Sequence, residues 1–520
     1  MITGAAADYG PSWYAATMVA APERPPLGLD IDVDVCVVGG GLAGLTVARE
    51  VARRGWSVAV LEAKRLAWNA SGRNCGFVLP GFAQSVERVV ARVGLDHAKS
   101  LWALSEAGVN YVRDIIRETG MPGVSPVNGW LDVSKIDNGE ESPAQAILLA
   151  QEFGIEAEGW PTERVRAVLK SESYFHGIHF PKAFHIHALN YALGLAAAAE
   201  AAGVRIFEDT PALAIDPAGV RKRVVTPSAR VRAAHIVLAG NVHLGALSSR
   251  VASTLVPVTT YVGVTAPLGS RLADAISYQG AVSDTHFADN HYRVVDGDRL
   301  MWAGGLSTWP VDPKSFSGRF ARDIARLYPQ LGDIVIDHVW SGAMGHAVHR
   351  MPQIGEISPG LWLASGFGGH GINTTAMAGE LIAHAVVDGD DRWKLFLPYA
   401  LVWGGGALGR AAIQVAYWSR RRGDEWAAKR AQRREIKNGV VPAMERLGEP
   451  QVEVCLASEA QLFAGAEHQD TPMPRSARRR GRRTGSNGQQ TGDVPPVRAE
   501  AQPFAAQNVG DQSSSTEGAA

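Results

Sequence analysis

Cysteine is scarce: Cys36, Cys75 and Cys455 are the only three in 520 residues. That is too few and too scattered for a disulfide framework or a cysteine-rich metal centre, and it fits a reducing compartment. Excess charge of one sign is missing too, since 51 Lys+Arg face 52 Asp+Glu for a formal net charge of -1. No global drive toward nucleic acid or an anionic surface follows, and nucleic acid is not an expected partner, while peripheral membrane contact stays open. The chain also lacks the uninterrupted apolar run of about twenty residues that a membrane-spanning helix needs. Its nearest approach, Tyr399 to Trp418, is broken by Gly404-Gly405-Gly406 and Arg410. Met1 to Gly28 has no basic start followed by an apolar run, so no signal peptide is read there and the expected location is cytoplasmic. What remains is ordinary for a soluble enzyme of two or three domains, at 46% hydrophobic and 20% charged.

The most informative stretch runs from Asp34 to Glu62. Val35-Cys36-Val37-Val38 reads as a strand, Gly39-Gly40-Gly41-Leu42-Ala43-Gly44 as a glycine turn, and Leu45 to Arg54 as a helix stopped by Gly55. Ser57 to Leu61 is a second strand, ending on Glu62. This is the order of a dinucleotide-binding βαβ unit. Gly39 allows the tight turn, bare Gly41 lets a pyrophosphate approach the backbone, and Gly44 lets helix and strand pack closely. The helix N-terminus offers free N–H groups and a partial positive charge to phosphates. Glu62 stands where an acid would hydrogen-bond a ribose diol. Taken alone, the unit leaves NAD and FAD equally open, beside the blander alternative of a structural glycine turn.

A polar loop follows directly, from Ala63 through Arg65 to Ala70-Ser71-Gly72-Arg73-Asn74-Cys75-Gly76. Its position makes it a candidate binding loop, with Ser71, Arg73 and Asn74 as donors. Gln84 to Thr119 has helical spacing, Gly129 to Val133 reads as a strand and Ser142 to Gly154 as a helix. Ile178-His179-Phe180 is a short strand before Pro181, and Ala188 to Ala202 is a helix closed by Gly203. A strand pair bounded by Pro217 and Pro227 precedes Val231 to Leu238, which leads into Ala239-Gly240-Asn241. Leu255 to Ala266, Ala281 to Asp284, His291 to Val295 and Leu300 to Gly305 then read as strands of a mostly antiparallel sheet, with Asp296-Gly297-Asp298 as a hairpin turn. Phe320 to Tyr328 is a helix and Ile334 to Trp340 a further strand.

A second anchor lies far downstream. Leu361 to Ala364 is a strand that breaks into Ser365-Gly366-Phe367-Gly368-Gly369-His370-Gly371, and a helix begins near Asn373. A simple nicotinamide dehydrogenase has no use for a second device of this kind. A flavin has, because its pyrimidine end gains negative charge on reduction and a helix N-terminus with bare amides stabilises that charge. The pair of anchors favours FAD.

These residues resemble the D-amino acid oxidase superfamily of FAD-dependent oxidoreductases, and most nearly the branch that contains gamma-glutamylputrescine oxidoreductases. The likeness rests on Ser12 to Thr17, Val37 to Gly44, Ala70 to Gly76, Pro257 to Pro267 and Gly366 to Gly371, and covers roughly residues 12–390. It implies an α/β (α+β overall) fold: a Rossmann-like FAD domain (30–110, 172–250, 338–390) interleaved with a substrate domain (111–171, 251–337) whose sheet roofs the flavin. An N-terminal arm (1–29), a helical extension (391–437) and a disordered tail (438–520) complete the expected layout. The expected cofactor set is Gly39, Gly41, Leu42, Ala43, Gly44, Glu62, Ala63, Arg65, Ser71, Gly72, Arg73, Asn74, Cys75, Gly76, Ala212, Ala239, Gly240, Gly366, Gly368, Gly369, His370, Gly371 and Ile372. The resemblance implies oxidation of a carbon–nitrogen bond of an amine or amino acid, with dioxygen or another electron acceptor.

Two departures narrow this. Where the sarcosine oxidase branch has a lysine for the substrate carboxylate, this chain has Asn373, which disfavours a plain N-methyl amino acid. The cysteine that links flavin in that branch would fall near Gly342 to Met344, where there is none, so non-covalent FAD is expected. Cys75 keeps a covalent or redox role open beside that of a packed thiol. Catalytic candidates are His370, in the flavin anchor, and Tyr292 and Arg293 on a roof strand, each with a structural or surface role as the alternative; Tyr261 alternates likewise. No metal is expected, although His176, His179, His185 and His187 cluster in sequence. Phe396 to Trp426 mixes aromatics with arginines and reads as an extension that packs on the body or meets a partner or membrane surface. Arg475 to Arg483 is a basic run in the tail. Rival readings are a D-amino acid dehydrogenase-like enzyme with a membrane acceptor, an NAD-dependent Rossmann enzyme and a non-catalytic flavoprotein.

Overall fold

The computed structural model describes residues 9–137, 144, 148–149, 151–284 and 290–438. The chain divides into two units, 1–467 and 468–520, and all described residues lie in the first. Cys455, the basic run, nearly all of the expected tail and residues 142–143, 145–147 and 150 of the helix expected over 142–154 fall outside the described residues.

The nucleotide sheet is built on the strand Ile31–Val38, whose last four residues are all buried. A central parallel strand is covered on both faces, so its apolar run is continuous rather than alternating. It pairs in parallel with Val58–Leu61 on one side and Arg230–Leu238 on the other. Arg205–Phe207 and Leu361–Ser365 extend the parallel order outward. The two anchors therefore open at the same end of this sheet, from strands separated only by Arg230–Leu238, where an open parallel sheet binds its ligands.

The second sheet has nine strands and is mostly antiparallel; one parallel pair joins Val127–Val133 to Ala281–Asp284. Its two faces separate cleanly by register. Tyr261, Tyr292 and Trp302 enter an outer core with Phe320 and Ile324 of the helix Ser317–Leu327. Residues of the other parity, Val262, Val264, Met301, Ala303 and Trp340, share one core with Leu42 and Leu66 of the nucleotide half. Arg293 pairs directly with Met301 and His291 with Ala303, so both belong to this inner face.

Several elements differ from the reading of the sequence. The strand expected to stop before Pro181 runs Gly177–His185. Its pairing with Val127–Val133 lapses between Phe180 and Phe184, which accommodates a proline that has no N–H to donate. Pro217 lies in the turn between Ala214–Asp216 and Lys222–Val225 rather than bounding the pair. The helix expected over 84–119 is two, Val86–Val93 and Leu95–Thr119, parted at Gly94. Domain boundaries drawn at 172 and 338 do not follow the sheets: Phe77–Val78, Gly177–His185 and Ile336–Ala347 all belong to the second sheet. Strand partners distant in sequence set that membership, such as Leu255–Thr265 for Ile336–Ala347 and Gly177–His185 for Phe77–Val78, and local pattern carries no record of them. The extension is one helix, Gly406–Asn438, seated through Ile413 and Tyr417 on Val256 and Val258. No helix among the described residues is long and apolar enough to cross a membrane.

Candidate active site

The fingerprint turn has the close approaches its glycines require. Gly39 has φ +117°, and a Cβ there would meet the Ala239 carbonyl carbon at 2.8 Å. A Cβ on Gly44 would overlap the Gly39 carbonyl oxygen, so this glycine sets the helix against the strand. Gly41 starts the helix Leu42–Ala52 with no side-chain cap of its own; the Leu42 N–H is met instead by Ser71 Oγ at 3.1 Å. Glu62 is buried, and its carboxylate accepts from the backbone N–H of Gly40 at 2.8 Å and of Lys64 at 3.0 Å. Burial raises its pKa against these bonds and despite them. Its bonds show Glu62 shaping the turn itself. Ala63 is exposed beside it.

The following loop is tied down at each step. Arg65 pairs with buried Glu208 at 3.0 Å. Gly72 has no room for a Cβ against the Ala67 carbonyl, 2.5 Å away. Arg73 donates to the carbonyls of Tyr9 at 3.0 Å and Ser341 at 3.3 Å, which joins the arm to the second sheet, and burial lowers its pKa. Asn74 donates to Ser71 O and accepts from Gly76 N, each at 2.8 Å, and so closes the loop on itself. Cys75 is half-buried, whereas Cys36 lies in the core, where burial pushes its thiol up to about 12. Ala212 packs in one cluster with Ile31, Phe207, Val38 and Leu61.

Ala239, Gly240 and Asn241 join the two anchors. Ala239 lies against Gly39, while Asn241 Oδ1 accepts from Ser365 Oγ at 3.3 Å. Asn241 was legible as part of the turn, yet its side chain carried no signal that it would reach a strand more than a hundred residues away. Gly368 has φ +60°, and its Cβ would meet His346 at 3.1 Å and Ala83 at 2.8 Å. His370 is the N-cap of the helix Gly371–Asp388 without a side-chain cap bond, and Thr374 Oγ1 donates to its carbonyl. A Cβ on Gly371 would meet nothing within 4 Å, and Ile372 behind it is buried. Two long helices thus begin at bare glycines, uncapped by their own residues, with open ground before the second. This cradle fits a dinucleotide that runs from one anchor to the other.

Tyr292 and Arg293 point to opposite faces. The Tyr292 hydroxyl lies 2.7 Å from that of Tyr328 and 3.2 Å from that of Tyr174, and the ring stacks on Trp302. It is not brought together with the anchors. Arg293 is 5% exposed on the inner face. It donates to His185 Nδ1 at 2.6 Å, Tyr14 Oη at 3.0 Å and Ile186 O at 2.9 Å. All three partners are neutral, and among the described residues no carboxylate pairs with this guanidinium. A Cβ on Gly76 would come within 3.1 Å of it, so Arg293 stands beside the loop Ala70 to Gly76. Tyr14 lies in an arm far from Arg293 in sequence, so nothing local signals the contact between them. Burial raises the pKa of Tyr14. Asn373 is buried and donates to Gly81 O at 3.2 Å, so it braces a loop instead of facing the inner surface. The remaining histidines have separate places: His187 caps the helix Ala188–Ala201, and His179 packs on Trp160.

Comparison with known proteins converges on one family. The chain is 29% identical to the gamma-glutamylputrescine oxidoreductase of Escherichia coli over 425 residues, 80% of this chain and 98% of the relative. It is 28% identical to a probable oxidoreductase OrdL of Haemophilus influenzae over 428 residues, 80% of this chain and 97% of that one. The crystal structure of glycine oxidase from Bacillus cereus superposes with a TM-score of 0.58 at 21% identity, covering 71% of this chain and 98% of the oxidase. The family profile described as DAO, FAD dependent oxidoreductase, matches residues 34–385. With that match over most of its length, the chain belongs to the DAO family of FAD-dependent oxidoreductases.

Proposed function

We propose that this enzyme oxidises a carbon–nitrogen bond of an amine that also carries a carboxylate, and that Arg293 receives the carboxylate. The observation that carries this reading is the buried guanidinium with only neutral partners. A buried charge without a counter-charge is costly, and a bound carboxylate would supply both the charge and bidentate hydrogen bonds. His185 and Tyr14 hold the guanidinium in place, and Gly76 leaves it space. This answers the absence of a lysine at Asn373: the acid is held from the roof sheet instead.

Bound FAD would supply the hydride acceptor. Gly41, Leu42 and Ser71 would meet its pyrophosphate, and Gly369 to Ile372 its pyrimidine end. The substrate loses a hydride and a proton to become an imine, which water hydrolyses to a carbonyl compound and the free amine. FAD is held non-covalently, since Gly342, Ala343 and Met344 offer no thiol. The name of the Escherichia coli relative indicates a γ-glutamylated diamine, a molecule with both an amine and an acid, and this chemistry suits a carboxylate received by Arg293. The reading places the enzyme in the cytoplasm, with dioxygen or another acceptor reoxidising the flavin.

Anaerobic mixing of the purified protein with a panel of amines, amino acids and γ-glutamylated amines tests this directly. Bleaching of flavin absorbance by members that carry both groups is the expected result. Bleaching by simple amines alone would overturn the carboxylate assignment. Oxygen uptake with peroxide release then separates an oxidase from a dehydrogenase.

A further inference from the structure

Large apolar side chains that face solvent are unevenly distributed. Of the sixteen among the described residues, seven lie between Leu397 and Trp426, including three of the four exposed tryptophans. The helix Gly406–Asn438 has one face committed to the body. Ile413 and Tyr417 are buried on the second sheet, Gln414 Oε1 accepts from Thr308 N at 2.9 Å, and Arg410 donates to the Thr308 carbonyl. Leu408, Val415, Trp418 and Trp426 are 80%, 60%, 55% and 58% exposed. At 100° per residue these four fall within one arc opposite the seated face, and Arg422 and Arg430, also exposed, lie in the same arc. Trp403, just before the helix, is 66% exposed.

We propose that this face docks on an anionic lipid surface, with the helix lying in the plane of the interface. Tryptophan and leucine supply the inserted side, and tryptophan suits the headgroup boundary because its ring is apolar with one polar edge. Charge selects the occupant. From 402 to 438 the sequence carries nine Lys or Arg against Asp424, Glu425 and Glu435. A second copy seated on the same face about a two-fold axis would set arginines against arginines around the tryptophans, whereas anionic headgroups would neutralise them. Long arginine side chains also reach headgroups while their stems stay in apolar surroundings. This inference is independent of the substrate assigned to the site.

Co-sedimentation of the full-length holoprotein with vesicles tests it. Phosphatidylcholine vesicles are compared with vesicles containing about 30 mol % phosphatidylglycerol, a charge density that attracts basic segments. Pelleting with the anionic vesicles only, weakened by salt, is the expected result. Trp418→Ala with Trp426→Ala, and separately Arg422→Gln with Arg430→Gln, should each lower the partition coefficient about tenfold while flavin absorbance and circular dichroism stay unchanged. Failure to pellet with anionic vesicles overturns the proposal. So does wild-type pelleting by both double variants, which would move the binding to the basic run at 475–483. Concentration-dependent dimerisation that the tryptophan variants abolish, without vesicle binding, assigns the face to a second copy and also overturns it.

Discussion

Arg293 donates to His185 Nδ1 across 2.6 Å, and the other ring nitrogen of His185 donates to the Gln279 carbonyl at 3.0 Å. The imidazole is thereby fixed as one neutral tautomer. Burial first, and the guanidinium second, push its pKa down to about 3 from an ordinary 6.5. His187 is pushed down to about 4 for the same two reasons. The unfolded chain therefore binds protons below pH 6.5 that the folded chain refuses. This contribution to stability is complete above pH 6.5 and is lost as the pH falls toward 4 and below. Denaturation followed from pH 7 to pH 4 should show that loss. His185→Asn, whose side-chain oxygen can still accept from Arg293, should show a slope shallower by up to about 1.4 kcal/mol per pH unit. An identical slope would mean that the ring titrates normally in the folded protein.

Arg293→Gln should separate acids from simple amines. For substrates carrying the carboxylate, kcat/KM should fall roughly a hundredfold to a thousandfold, as expected when a buried charge pair loses one partner. For matched amines without the acid the change should be at most several-fold. Steady-state kinetics on both series decides it. Equal losses in the two series would make Arg293 a brace for Tyr14 and the 70–76 loop, with no direct part in recognition.

Two glycines that look alike in sequence should behave differently. Gly44→Ala puts a methyl into the Gly39 carbonyl, so it should lower the stability of the apoprotein by roughly 1–3 kcal/mol as well as weaken cofactor binding. Gly371→Ala meets nothing within 4 Å in the protein. Its apoprotein should melt like the wild type, while FAD binding weakens about tenfold or more because the methyl stands before the open helix end. Thermal melts with and without FAD, together with flavin titration, distinguish the two. A Gly371→Ala protein with unaltered flavin affinity would put the cofactor elsewhere.

Both anchors were legible because each is a local pattern: a strand, glycines at fixed offsets and a helix start lie within thirty residues. The alternation of Val256, Val258, Val262 and Val264 on one face was legible for the same reason, and the register with Ile336–Ala347 agrees. What could not be read was contact at a distance. Nothing near Tyr14 announces Arg293, which it meets across 279 residues, and nothing near Asn373 announces the Gly81 carbonyl. Parity told that Tyr292 and Arg293 take opposite faces. Which face looks at the nucleotide half depends on how the sheet packs, and that is fixed by the whole core.

Tyr292 illustrates the consequence. Its hydroxyl sits between Tyr174 and Tyr328 in the outer core, so Tyr292→Phe should cost about 1 kcal/mol of stability by removing a buried hydrogen bond. Turnover should stay within about twofold of wild type, a difference well under 1 kcal/mol in barrier. A large fall in kcat with no change in melting temperature would return Tyr292 to the active site.

Asn373 is the sharpest test of carrying a residue's role over from a relative. A lysine here would be the obvious attempt to install a carboxylate anchor of the sarcosine oxidase kind. The Asn373 side chain, however, is 1% exposed. Its amide donates to Gly81 O at 3.2 Å, and the backbone carbonyl of Asn373 leaves no room for a side chain on Gly108 of the helix Leu95–Thr119. Asn373→Lys would bury an ammonium with only backbone carbonyls beside it, a cost of roughly 3–5 kcal/mol. Asn373→Ala would leave the Gly81 carbonyl without that donor, for about 1–3 kcal/mol. The expected outcome is therefore a lower melting temperature for both variants, lowest for lysine, and no gain of N-methyl amino acid oxidation by either. The Gly81 loop precedes Ala83, which touches Gly368 in the second anchor, so flavin affinity should weaken alongside stability. A stable Asn373→Lys protein that oxidised sarcosine would show that this helix can turn the side chain toward the substrate after all.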